Sequence, residues 1–167
     1  MPLEGVEPLL TLAEVGLGLS GFAAIILVLT KRLDSVPTET ALTFRYMVLN
    51  ALFPAVFVFL PLIFFGLGFG SSSWRYSAFS VCLVQTVVVW PTAIIMHRAA
   101  KAPISTVSAK TIFGIGWVIA VLAFLVQAGS ILGYPQPSSA GTFLLGLWLW
   151  IVLAAFQFLQ LLFGLLR

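Results

Sequence analysis

An all-α membrane protein, a bundle of five transmembrane helices with the N-terminus outside and the C-terminus cytoplasmic, is the fold class this sequence predicts. Three observations carry that reading. Hydrophobic residues fill 61% of the 167 positions and charged residues only 8%, against about 25% charged in soluble domains. Mean hydropathy is +1.15, and too few polar groups exist to cover a water-facing globule. Five apolar runs reach the roughly 20 residues that a helix needs to cross a bilayer core about 30 Å thick. Finally, seven of the eight Lys and Arg residues fall on one side of a five-span arrangement. The composition argues against a soluble enzyme, a disordered chain and a nucleic-acid module alike.

The spans follow in order as residues 8–30, 41–66, 76–97, 111–133 and 142–166 of one transmembrane domain, 1–167. Each run is continuously apolar, without the ten-residue alternation of barrel strands. Polar breaks separate the runs at 33–39, 70–73, 99–110 and 134–139, with the Gly, Pro and Ser of loops. Lys31, Arg32, Arg45, Arg98, Lys101, Lys110 and Arg167 share one side and Arg75 alone lies on the other, so the positive-inside rule sets the orientation. No Lys or Arg precedes the first span, which argues against a cleaved leader.

Span one carries the one carboxylate deep in an apolar run. Glu14 lies six residues into it, and an ionised acid there costs roughly 3 kcal/mol unless protonated, paired or hydrated. Glu14, Gly18, Gly21 and Ile25 form one helical stripe; Ala13, Gly16, Ser20 and Ala24 form a second beside it. Small residues let helix backbones approach closely. Span one is therefore expected at the centre of the fold or of an oligomer, packing through Gly16, Gly18, Ser20 and Gly21, with Glu14 buried in protein.

Span two holds Asn50, Pro54 and Pro61 on one face, and both prolines predict kinks. Span three holds Gln85 and Thr86 near mid-bilayer and Pro91, which frees a carbonyl near Val87. Gln127 and Ser130 of span four fall near the depth of Glu14, which makes Gln127 the expected partner of that acid. Gln157 and Gln160 share a face of span five. The bland reading of these amides is interhelical glue; the sharper one is a polar track from Glu14 through Gln127, Asn50 and Gln85. Arg45 is near enough to a span end to snorkel to the interface.

Cys82 is the only cysteine and His97 the only histidine. An intrachain disulfide, a four-cysteine metal site or bis-histidine haem ligation within one chain is thus excluded. The Gly-Leu-Gly-Phe-Gly run at 66–70 ends an apolar helix instead of opening one after a strand, so it is no dinucleotide fingerprint. Nothing suggests an enzyme, and no cofactor is expected.

The segment Leu12-Ala13-Glu14-Val15-Gly16, followed by Gly21-Phe22-Ala23 and by Phe44-Arg45-Tyr46-Met47, resembles the opening of small bacterial multi-pass membrane proteins of unknown function. That resemblance implies a bacterial inner (cytoplasmic) membrane and no particular activity. The partners expected are the lipid bilayer, further copies of the chain and other membrane subunits, not nucleic acid. The sequence leaves two functions in competition: an ion or proton pathway built by a homo-oligomer around the first helix, or a non-catalytic accessory or scaffold subunit of a membrane complex.

Overall fold

The computed structural model describes residues 6–29, 38–99, 107–133 and 139–165. The basic residues Lys31, Arg32, Lys101 and Arg167 lie outside the described residues, as does most of the loops that carry them. Every described element is helical: α1 Val6–Leu29, α2 Thr38–Phe57, α3 Leu60–Gly66, α4 Ser73–Val84, α5 Trp90–Ala99, α6 Val107–Leu132 and α7 Ser139–Leu165. A 3-10 turn, Gly70–Ser72, leads into α4, and a π turn, Gln85–Val89, joins α4 to α5. The chain thus forms five helical rods: α1, α2–α3, α4–α5, α6 and α7. Four stretches are long and apolar enough to cross a membrane: Thr43–Gly66, Gly70–Ile95, Gly114–Leu132 and Ala140–Leu162. The fifth rod, α1, has 24 residues.

Proline explains both interruptions of the rods. Pro54 sits within α2, and Pro61 falls in the first turn of α3. Pro61 has no N–H to give the carbonyl four residues back. The rod breaks there, and Phe59 N–H reaches only the Val56 carbonyl, three residues back. Pro91 lies two residues past the π turn, and its ring would collide with the carbonyl of an α-helical Val87. The helix widens instead, and Trp90 N–H bonds the Gln85 carbonyl five residues back.

The second polar break is shorter than the sequence predicts. Residues 70–73 do not form a loop before a span at 76; they already belong to the third rod. Ser73 is fully buried with its hydroxyl donating to the Gly70 carbonyl at 2.6 Å, and Ser77 Oγ donates to the Ser73 carbonyl at 2.7 Å. The turn itself is confined to 67–69, where Gly68 takes φ +90°, a conformation costly for any other residue. At the same end of the bundle Gly133 closes α6 with φ +79°. Both Nε and Nη2 of Arg75 donate to the Ile131 carbonyl, at 3.1 and 2.9 Å. A cation on the last carbonyls of a helix is favoured by the helix dipole.

The centre of the bundle is α7, not α1. It packs on α1, α2, α4 and α6. Its buried positions Phe143, Leu147, Trp150 and Ala154 recur at three- and four-residue steps, with Leu161 seven residues further on, the seam of a helix gripped from several sides. The facing seam of α6 is small or polar, with Gly116, Ala120, Ala123, Gln127 and Ser130, and the third rod adds Trp74, Ala78 and Val81 of α4 and Gln85 of the π turn. Lipid is as apolar as a leucine side chain, so such contacts gain by close packing and not by escape from water. The core runs along α7 in three layers. Leu9, Leu12, Trp74, Val81 and Phe143 fill the layer nearest the α3–α4 turn, Ala120, Ala123, Trp150 and Leu153 the middle, and Met47 and Leu161 the far end.

Candidate functional site

Glu14 is exposed in the single chain, so of the two expected placements of span one, at the centre of the fold or of an oligomer, the first does not hold. The reason is angular. α1 turns Leu9, Leu12, Ala13 and Gly16 toward α2 and α7. At about 100° per residue, Glu14 stands about 200° from both Leu12 and Gly16. The same rotation carries Gly18 outward, and Gly21 with it. A Cβ added at Gly18 or Gly21 would meet no atom within 4 Å. Of the four expected packing residues, Gly16 alone seats the helix against its neighbours. An added Cβ there would lie 2.7 Å from the Ala51 carbonyl oxygen and 3.1 Å from the Ala55 Cβ. Ser20 is half-buried and returns its hydroxyl to the Gly16 carbonyl at 2.9 Å.

Gln127 does not meet Glu14. Its side chain is fully buried between α6 and α7, where Nε2 donates to the Phe143 carbonyl at 3.0 Å. Gly146 makes room for it: a Cβ at that position would fall 2.7 Å from Gln127 Cδ. Gln85 repeats the arrangement one interface away, with Nε2 donating to the Ala120 carbonyl at 3.1 Å. Asn50 Nδ2 donates to Gln157 Oε1 at 2.9 Å and ties α2 to α7. Each amide therefore joins a different pair of rods, and these bonds do not string them into one track.

Hydroxyl groups are accounted for locally. Thr11, Ser80 and Thr86 donate to the carbonyls of Glu7, Tyr76 and Cys82, four residues back in each case. That back-bonding is how a hydroxyl satisfies itself in hydrocarbon. Tyr46 OH donates to the Ala93 carbonyl at 2.7 Å, beside the disturbed stretch around Pro91. Arg45 is exposed near the end of its rod. No three His, Cys, Asp or Glu side chains gather into a group among the described residues.

Sequence reasoning missed three features. Arg75 closes α6 instead of merely marking one side of the membrane. α7 is the hub, and the three-four recurrence from Phe143 to Ala154 was the available signal. Several buried polar atoms also have no partner: Gln85 Oε1, Trp90 Nε1, Gln127 Oε1, Trp150 Nε1 and Gln160 Nε2. No sequence signal marks those, because they depend on which helices meet.

No family model, curated protein or solved structure matches this chain.

Proposed function

We propose that this protein is a small homo-oligomeric membrane protein in which copies meet through the outward face of α1, around an ion or proton pathway lined by Glu14. The observation that carries the reading is the placement of Glu14. A carboxylate about 12 Å along an apolar helix, at 1.5 Å per residue from Val6, is left uncovered by its own chain. Hydrocarbon is a poor solvent for it, at roughly 3 kcal/mol if ionised. A second copy, or water enclosed between copies, relieves that cost. Gly18 and Gly21 below it leave space for a close approach. All five rods span the bilayer in this reading, α1 included, with the N-terminus outside and the C-terminus in the cytoplasm of a bacterial cell.

A second reading has its own support. The amides Asn50, Gln85 and Gln127 are spent on bonds between rods, as befits a rigid accessory or scaffold subunit whose Glu14 meets a polar group on another membrane protein. Reconstitution separates the two. Purified protein in vesicles is assayed for proton and cation flux with Glu14 intact and as Glu14→Gln, with oligomer size measured in parallel. Flux that is lost in the variant while the oligomer persists supports the pathway. Absence of flux from the intact protein overturns it in favour of the accessory role.

A further inference from the structure

The third rod is held unequally along its length. Its first half, α4, is built into the core. Ser73, Trp74, Ser77, Ala78, Val81 and Cys82 are buried, and the helix packs on α3, α6 and α7. Gln85, just past its end, bonds the Ala120 carbonyl of α6. The second half, α5, has no such seat. None of residues 90–95 is fully buried, and Ile94 and Ile95 are exposed. Outside its own rod α5 packs chiefly on α2, where Tyr46 OH donates to the Ala93 carbonyl at 2.7 Å. Trp90, at its start, stacks on Phe124 of α6 with ring centroids 5.0 Å apart. Between the two halves lies the π turn Gln85–Val89, and Pro91 has no N–H to give to the backbone ladder beside it.

Those observations describe a hinge. A segment opens easily where few apolar contacts hold it. A helix bends where its ladder of backbone bonds is interrupted, and a hinge is a short stretch that absorbs the change between two rigid parts. π turns recur at such functional irregularities. Here the rigid part is α4, clamped against α6 and α7, and the movable part is α5. Trp90 stands at the pivot, so its stacking on Phe124 holds the axis and leaves the free end alone. Tyr46 acts three residues further along, at Ala93, and its hydroxyl sets the direction of α5 against α2. We propose that α5 is an arm that pivots on the π turn, with the Tyr46–Ala93 hydrogen bond as the catch that holds it. One interhelical hydrogen bond in a bilayer is weak, so the catch opens and closes reversibly. The arm lies within one chain and stands apart from the reading of α1.

The test uses the full chain in lipid nanodiscs, with Cys82→Ala removing the native thiol and spin labels placed in pairs. Labelled chain is diluted into unlabelled chain, so that only distances within one molecule are read. The first pair, Ile95→Cys with Leu132→Cys, runs from the arm to the last residue of α6. The second, Phe79→Cys with Ile115→Cys, joins α4 to α6 and leaves the arm out. All four positions are exposed. The expected result is two distances for the first pair and one for the second. Tyr46→Phe keeps the ring and removes the hydroxyl. It should raise the catch-open distance, relative to the catch-closed one, about threefold, the effect of one interhelical bond. Pro91→Ala restores a backbone donor beside the π turn and should lower it; should Tyr46→Phe not fold, Pro91→Ala decides. A single distance for the first pair, a second distance equally present in the α4–α6 pair, or a ratio that the folded variant leaves unmoved overturns the arm.

Discussion

On its inward face α1 carries Gly16 so near α2 that an added Cβ would lie 2.7 Å from the Ala51 carbonyl oxygen; on its outward face Gly18 and Gly21 meet nothing within 4 Å. The two faces have similar composition, glycine with scattered leucine, and Glu14 lies on the open face. The difference teaches that a small residue in a membrane helix marks a possible close approach without saying to what. Gly16 is already engaged by α2 and α7 within the chain. Gly18 and Gly21 face open space, and it is through them and Glu14 that the proposed oligomer would form.

The comparison breaks most sharply at Gly16. Gly16→Leu forces a side chain into the Ala51 backbone, which cannot yield as a flexible side chain would. Overpacking costs about 1–3 kcal/mol, and more against rigid backbone, so thermal or denaturant unfolding in detergent should occur markedly earlier. Gly18→Leu is the counterpart: unfolding of the monomer should stay within about 0.5 kcal/mol of the parent, while oligomer size falls. Equal melting of the two variants would abolish the distinction between the faces.

Gly146→Ala tests whether the α6–α7 seam is as tight as the α1–α2 seam. The new methyl displaces Gln127 and strands its amide, at about 1–3 kcal/mol for a buried polar group left unpaired. Unchanged stability there would mean that Gln127 has another place to go. The smallest effect is expected from Asn50→Leu, which removes one interhelical bond to Gln157. Such bonds average about 0.6 kcal/mol, measurable by equilibrium unfolding in mixed micelles. A loss several times larger would show that the α2–α7 contact depends on this pair more than on Met47, Ala51 and Pro54.

Much of the fold was legible because bilayer thickness converts directly into helix length. The boundaries of α6 and α7 fall within a few residues of the apolar runs, and Pro61 and Pro91 mark the two irregularities. The site was less legible. Gln127, Gln85 and Asn50 were recognisable as polar groups in spans, yet depth alone suggested Glu14 as the partner of Gln127, and the structure supplies the Phe143 carbonyl. Two residues at equal depth meet only if their helices are neighbours and their faces are turned together. Arg75 shows the same gap. Its charge is visible in the sequence, but the carbonyl of Ile131 that it holds lies 56 positions away along the chain.

The sequence by itself determined the helical class, the apolar runs long enough to cross a membrane and where the rods are interrupted, because scarcity of charge, run length and proline act locally. Only the tertiary structure decided that α7 is the hub, that α1 turns Gly16 inward and Glu14 outward, and that Gln85 and Gln127 each bond a backbone carbonyl of a neighbouring helix. Those outcomes depend on the rotation of each helix about its axis. In lipid, no escape from water dictates which face turns inward; shape and hydrogen-bond complementarity between whole surfaces do.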